Sequence, residues 1–190
     1  MIKIGITGSI ASGKTAVARM LAGKKYPLFD ADNEVRRIYK TNFFKNKVRK
    51  KFSLANTKNV KEKIKKIISK DKGNLKKLEK IIHPLVRKGL RNFVKKNKNK
   101  EILIFEIPLL IESRLMKNFS KIVFVNSKKK IRLKRYLKRG KNKTIFNLLD
   151  KRQLSPMKKI KFSDHVINNN NSLEFLKKNV KIIKNNLWMK

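Results

Sequence analysis

The chain contains no cysteine, so neither a disulfide framework nor a thiolate metal site is available to it. It also lacks a long apolar run. The longest stretch, Ile102 to Ile111, is interrupted by Glu106 and falls far short of the roughly 20 residues that span a bilayer. The first strand pattern begins at residue 2, leaving no room for a signal peptide. These absences lead to the expectation of a cytoplasmic protein with no membrane partner. The guanine signature Asn-Lys-x-Asp is missing too: Asn46-Lys47 and Asn142-Lys143 are not followed by the required Asp. No Asp-x-x-Gly switch motif occurs, which argues against a GTPase.

Acidic residues are the scarcest class relative to their opposites. Twelve Asp+Glu face 53 Lys+Arg, a formal charge of +41. Such a field attracts polyanions, and nonspecific, salt-sensitive adhesion to nucleic acid follows from it. The distribution argues against a dedicated nucleic-acid site. Lys and Arg are missing from Ile4–Gly13, Tyr26–Val35, Glu101–Ser113 and Ser163–Leu176, the stretches that read as strands and motif loops. Elsewhere Lys fills the polar faces of the helical patterns, often beside Asn, as solvated surface. The 40% apolar content of this 190-residue chain is enough for one core.

What is present is led by Gly8-Ser9-Ile10-Ala11-Ser12-Gly13-Lys14-Thr15, which fits G-x-x-x-x-G-K-[ST]. Ile2, Ile4 and Ile6 alternate with other residues before it, as in a strand; Val17, Ala18, Leu21 and Ala22 follow at helical spacing. Strand, glycine-bounded loop and helix form the context in which backbone N–H groups cradle phosphate. Residues Ile10 to Thr15 are therefore assigned to nucleotide binding. Lys14 reaches toward the β- and γ-phosphates, and Thr15 offers its hydroxyl to Mg²⁺.

Five apolar runs read as strands: Lys3–Thr7, Tyr26–Phe29, Ile102–Glu106, Lys121–Val125 and His165–Asn168. Helical patterns separate them, which predicts an α/β fold with a parallel sheet covered on both faces. The chain is read as one P-loop domain over 1–190. It carries a helical substrate-binding insertion at 41–100 and a lid at about 140–161. Within the insertion, Val60, Ile64, Ile67 and Ile68 mark a helix behind Thr57 or Asn59 as cap, and Asp71-Lys72-Gly73 reads as a turn. His83-Pro84 is expected to break or kink the next helix. Lys128 to Arg139 reads as a basic helix with Leu133, Tyr136 and Leu137 turned inward and Gly140 at its end. Ser172 caps a last helix whose stripe is Leu173, Leu176, Val180, Ile183 and Leu187.

A P-loop with an acid pair after strand two and an arginine-rich helix after strand four has the layout of a phosphoryl-transfer kinase. Asp32, just beyond strand two, is either the general base or a helix cap, and the residues alone weigh the two evenly. Arg135 and Arg139 lie one helical turn apart, and either one or neither is an arginine finger. Glu106 ends strand three, where an acid helps hold Mg²⁺. Glu112 either orients substrate or is exposed. His83 either touches substrate or is structural.

Taken in order, these elements resemble dephospho-CoA kinase. The matching stretches are Ile4 to Thr15, Asp30-Ala31-Asp32, Leu78 to Pro84, Ile107 to Glu112, Arg135 to Arg139, Gln153, and Asp164 to Asn168. The resemblance implies transfer of the ATP γ-phosphate to the ribose 3′-hydroxyl of dephospho-CoA, and the chain is expected to act as a monomer. It implies a five-stranded parallel sheet in the order 2-3-1-4-5. It makes Asp32 the base and Lys14 and Arg139 the groups stabilising phosphoryl charge. His83, Leu109 and Glu112, with Asp32, become substrate contacts. Glu106 stands where the family often has Asp, and the family's glycine-and-arginine stretch is poorly kept around Asn56 to Lys61. The alternatives are a P-loop kinase for another small hydroxyl substrate, such as a nucleotide or shikimate, and a nucleic-acid-associated ATP-binding protein.

Overall fold

The computed structural model describes residues 1–54, 59–71 and 73–188. Two compact units emerge, Met1–Asp30 with Asn97–Lys190, and Ala31–Lys96. Thr57, Asn56 and Lys72 lie outside the described residues.

The first unit is built on a five-stranded sheet: β1 (Ile2–Gly8), β2 (Leu28–Asp30), β3 (Ile102–Glu106), β4 (Lys121–Asn126) and β5 (His165–Asn168). The spatial order is 2-3-1-4-5 and every pairing is parallel, as expected. Parallel sheets need cover on both faces, and the strands show it: all five residues of β3 are buried. On one face Ile4, Ile6, Ile104, Val123 and Val125 pack with α1 (Lys14–Ala22) and α9 (Leu173–Trp188). Leu103, Phe105 and Phe124 are also fully buried.

Strand two is shorter and later than its apolar run suggests. The Tyr26 N–H donates to Ala22 O at 3.0 Å, so Tyr26 belongs to the exit turn of α1. Pro27 has no N–H to donate, though its carbonyl accepts from Ile104 N at 3.0 Å. After β4 come α6 (Lys129–Leu137), α7 (Lys143–Lys151) and α8 (Pro156–Lys161). Gly140 takes the left-handed conformation, φ 67°, and its N–H bonds Leu137 O, closing α6 as its position suggests. Leu137 is 43% exposed, against expectation; the fully turned-in residue of α6 is Arg132. In α9 the stripe holds for Leu176, Val180 and Leu187, but Leu173 is exposed in the first turn. Ser172 caps that helix, its Oγ accepting from Phe175 N at 3.3 Å.

The second unit is helical: α2 (Ala31–Lys40), α3 (Asn42–Phe52), α4 (Val60–Lys70) and α5 (Gly73–Lys96). Its core gathers Ile38, Phe44, Val48, Val60, Ile64 and Leu78. Asn59 stands at the α4 N-cap position without a side-chain cap bond. Asp71 turns the chain, its carboxylate accepting from Gly73 N at 2.7 Å. His83-Pro84 does not break the helix: α5 runs 24 residues through Pro84. A proline costs a helix one donor, and Pro84 sits among exposed residues on α5, with Lys80 one turn before it exposed as well.

Candidate active site

The phosphate loop forms because β1 ends in a glycine that nothing else can replace. A Cβ on Gly8 would lie 2.5 Å from Ser12 Oγ and 2.8 Å from the Val125 carbonyl. Gly13 has φ 95°, and a Cβ there would meet the Asn169 amide. Between them Ala11 takes φ 57°, a strained value for an L-residue. Lys14 and Thr15 open α1, where the first N–H groups have no partners within the helix and face outward along its axis.

Side chains from elements far along the chain grip this loop by its backbone. The Ile10 N–H donates to Gln153 Oε1 at 2.8 Å, and Arg132 Nη1 donates to Ile10 O at 3.3 Å. Asn169 Nδ2 donates to Ser12 O at 2.8 Å. Arg135 in turn donates to Asn169 O at 3.0 Å and to its Oδ1 at 3.2 Å. Partial burial, and then the positive charge of Arg139, push the Arg135 guanidinium below its usual pKa. An electropositive rim thus borders the loop.

Thr15 Oγ1 donates to Glu106 Oε1 at 2.6 Å, joining the end of the loop to the end of β3. Glu106 is only 3% exposed. Just beyond it the Thr7 hydroxyl donates to Pro108 O at 3.0 Å, fixing the start of the Pro108-Leu109-Leu110-Ile111-Glu112 turn. Leu109 is exposed on this turn.

Glu112 is neither free nor fully exposed. Its Oε1 accepts from Leu154 N at 3.0 Å and lies 2.8 Å from Lys159 Nζ, off the ideal hydrogen-bond direction. Lys159 is completely buried while the Glu112 side chain is 15% exposed. Replacing one partner therefore has unequal consequences. Glu112→Gln strands a buried ammonium and is expected to cost about 3–5 kcal/mol; Lys159→Met leaves a carboxylate that keeps the Leu154 N–H on a side chain 15% exposed, and is expected to cost less. Urea denaturation of the two variants checks the order.

The other candidates divide between the units. Arg139 is exposed just past α6 in the first unit. Asp32 and His83 belong to the second. Asp32 is exposed at the second position of α2, past the N-cap position, which weakens its reading as a cap. His83 is exposed in the middle of α5. Sequence reasoning missed Arg132, Asp150, Lys159 and Asn169. Three of them are hidden in Lys- and Asn-rich runs whose composition reads as solvated surface. The usable signal was Asn169 directly after a strand end, where loops carry function.

Comparison with known proteins adds an independent line. The family model described as dephospho-CoA kinase matches residues 2–174. A dephospho-CoA kinase of Fusobacterium nucleatum is 37% identical over 182 residues, covering 93% of this chain and 94% of the relative. One from Rickettsia typhi is 35% identical, with 97% of each chain covered. Among solved structures, a Thermus thermophilus protein superposes with a TM-score of 0.83 at 27% identity, over 99% of this chain and 98% of that one. A shikimate kinase from Bacteroides thetaiotaomicron, at a TM-score of 0.53, 15% identity and 99% of each chain, shares the fold alone.

Proposed function

The chain belongs to the dephospho-CoA kinase family, and on that premise we propose that it transfers the γ-phosphoryl group of ATP to the ribose 3′-hydroxyl of dephospho-CoA, giving coenzyme A and ADP. The observation that carries this reading is a fully formed P-loop on a sheet of nucleotide-kinase order, in a chain whose family model matches nearly end to end. The loop amides and the α1 N-terminus hold the donor's phosphates, with Lys14 on the β- and γ-oxygens.

Thr15 and Glu106 supply two hard oxygen donors 2.6 Å apart. They suit Mg²⁺, which takes few protein ligands and keeps phosphate and water as the rest. Mg²⁺ bound there neutralises charge on the donor's phosphates. Asp32 accepts the hydrogen bond of the 3′-hydroxyl and then its proton, so that oxygen attacks the γ-phosphorus. Support comes from the Asp30-Ala31-Asp32 motif, and from its place at the carboxyl end of β2, the working edge of open α/β sheets. Arg139 stabilises charge on the transferring group. The helical unit binds dephospho-CoA, with His83 as a candidate contact; Leu109 and Glu112 are candidate contacts belonging to the first unit.

A coupled ADP-release assay tests the choice of acceptor. Turnover is expected with dephospho-CoA and not with AMP, shikimate or single-stranded DNA. Turnover with another acceptor would reassign the substrate; stimulation by DNA without any acceptor would replace the kinase reading altogether.

A further inference from the structure

We infer that Arg132, Asp150 and Gln153 form a positioning device that sets the P-loop backbone for the donor nucleotide. The inference rests on the reading of the loop as an ATP site. Its core is one peptide residue, Ile10, held at both ends by side chains: N–H to Gln153 Oε1 at 2.8 Å, and carbonyl from Arg132 Nη1 at 3.3 Å. Arg132 is itself held in place. The Arg132 side chain is 4% exposed, donates from Nε to Ser127 O at 3.0 Å, and pairs with Asp150 Oδ1 at 2.6 Å. Its guanidinium also faces the Phe146 ring at 5.6 Å.

A buried guanidinium is costly unless its donors are engaged, and here three acceptors take hydrogen bonds from Nε and Nη1. Two of the three, Ser127 O and Asp150, belong to the elements around α6 and α7; the third is the loop itself. Asp150 and Gln153 close the grip from one short stretch, the last turn of α7 and the residues after it. The segment read as a lid is thereby tied to the third residue of the loop.

The loop needs such a grip because of what comes next. Ala11 is held at φ 57°, a conformation that L-residues leave readily unless their surroundings impose it. Fixing both polar groups of Ile10 imposes it from one side, while Asn169 on Ser12 O imposes it from the other. The amides that follow are then preorganised for phosphate, with no ordering left to be done on binding. Arg132 acts through the backbone. It is a positioning residue and touches no substrate in this account.

The test measures ADP affinity by calorimetry, KM for each substrate and the thermal midpoint, on the full chain. Asp150→Asn and Gln153→Leu attack the grip from different sides, and Arg132→Lys keeps the charge while losing the fork. Each of the first two is expected to weaken ADP binding and raise KM for ATP about tenfold, the scale of one hydrogen bond to a charged or buried partner. KM for dephospho-CoA is expected to stay within about twofold, and Arg132→Lys to fall between wild type and Asp150→Asn. A lower thermal midpoint with ADP affinity and KM for ATP unchanged would make the trio merely structural and overturn the inference. An equal rise in both KM values would overturn it as well. If Asp150→Asn fails to fold, Gln153→Leu decides alone, since it removes no charge. Wild-type protein that binds no ADP would instead sink the nucleotide-site reading beneath the inference.

Discussion

Replacing Asp32 with asparagine is expected to lower kcat for phosphorylation of dephospho-CoA by about 10²–10⁴-fold, the range of a lost general base, while ADP affinity is unchanged. The two side chains have the same shape, so Asn keeps the packing. The amide, however, cannot take a proton from the attacking hydroxyl. A purely helical role predicts something different. Asp32 stands in the first turn of α2, where a carboxylate favours the helix dipole; losing that charge costs about 0.3–1 kcal/mol of stability and leaves kcat near wild type. Steady-state kinetics beside a denaturation curve separate the two. A kcat within a few-fold of wild type would remove Asp32 from the mechanism.

The second large effect is expected at Arg139. The two arginines near the end of α6 are not equivalent. Arg135 is already occupied, bonding Asn169 and Ser127 beneath the loop. Arg139 is exposed and lies one turn on, near enough for its charge to lower the Arg135 pKa. Arg139→Ala is therefore expected to reduce kcat about 10³-fold, the lower end of what an arginine on a transferring phosphoryl group contributes. Its KM for dephospho-CoA and its thermal midpoint should move little. Arg135→Ala is expected to do the reverse in kind, lowering the thermal midpoint through the loss of its hold on Asn169. If Arg135→Ala gave the larger kcat loss at an unchanged midpoint, the assignment of the two would be exchanged.

How much of this was legible in the sequence depends on which physical signal each feature leaves. The strands and the P-loop are legible because both rest on local pattern: β-branched alternation, glycines at fixed spacing, and helical apolar repeats after them; the order of the strands leaves no such local trace and comes from the family resemblance alone. Element edges were less so. Tyr26 has a strand-like side chain, yet its N–H closes the turn of α1, and hydrogen bonding decides over composition. A proline removes a donor, which makes a break or kink at His83-Pro84 the expectation from sequence, but a helix packed on a core tolerates that loss and α5 continues through it.

The buried charged side chains are the least legible. Arg132 and Lys159 are buried cations in a chain with 53 basic residues, and nothing local distinguishes them from their solvated neighbours. Their partners Asp150 and Glu112 come 18 residues later and 47 residues earlier, brought close only by the fold. Scarcity was the overlooked clue. With only 12 acids in the chain, each one near a basic run was a candidate for pairing with a buried cation.

The central claim is that a phosphoryl group moves from ATP to an alcohol on dephospho-CoA rather than to water. Phosphorus NMR of a reaction containing ATP, Mg²⁺, dephospho-CoA and the purified protein tests it most directly. A new phosphomonoester resonance, assigned to the ribose 3′ position and growing in step with ADP, is the predicted result. Inorganic phosphate accumulating in its place, or ADP forming at the same rate without dephospho-CoA, would contradict it.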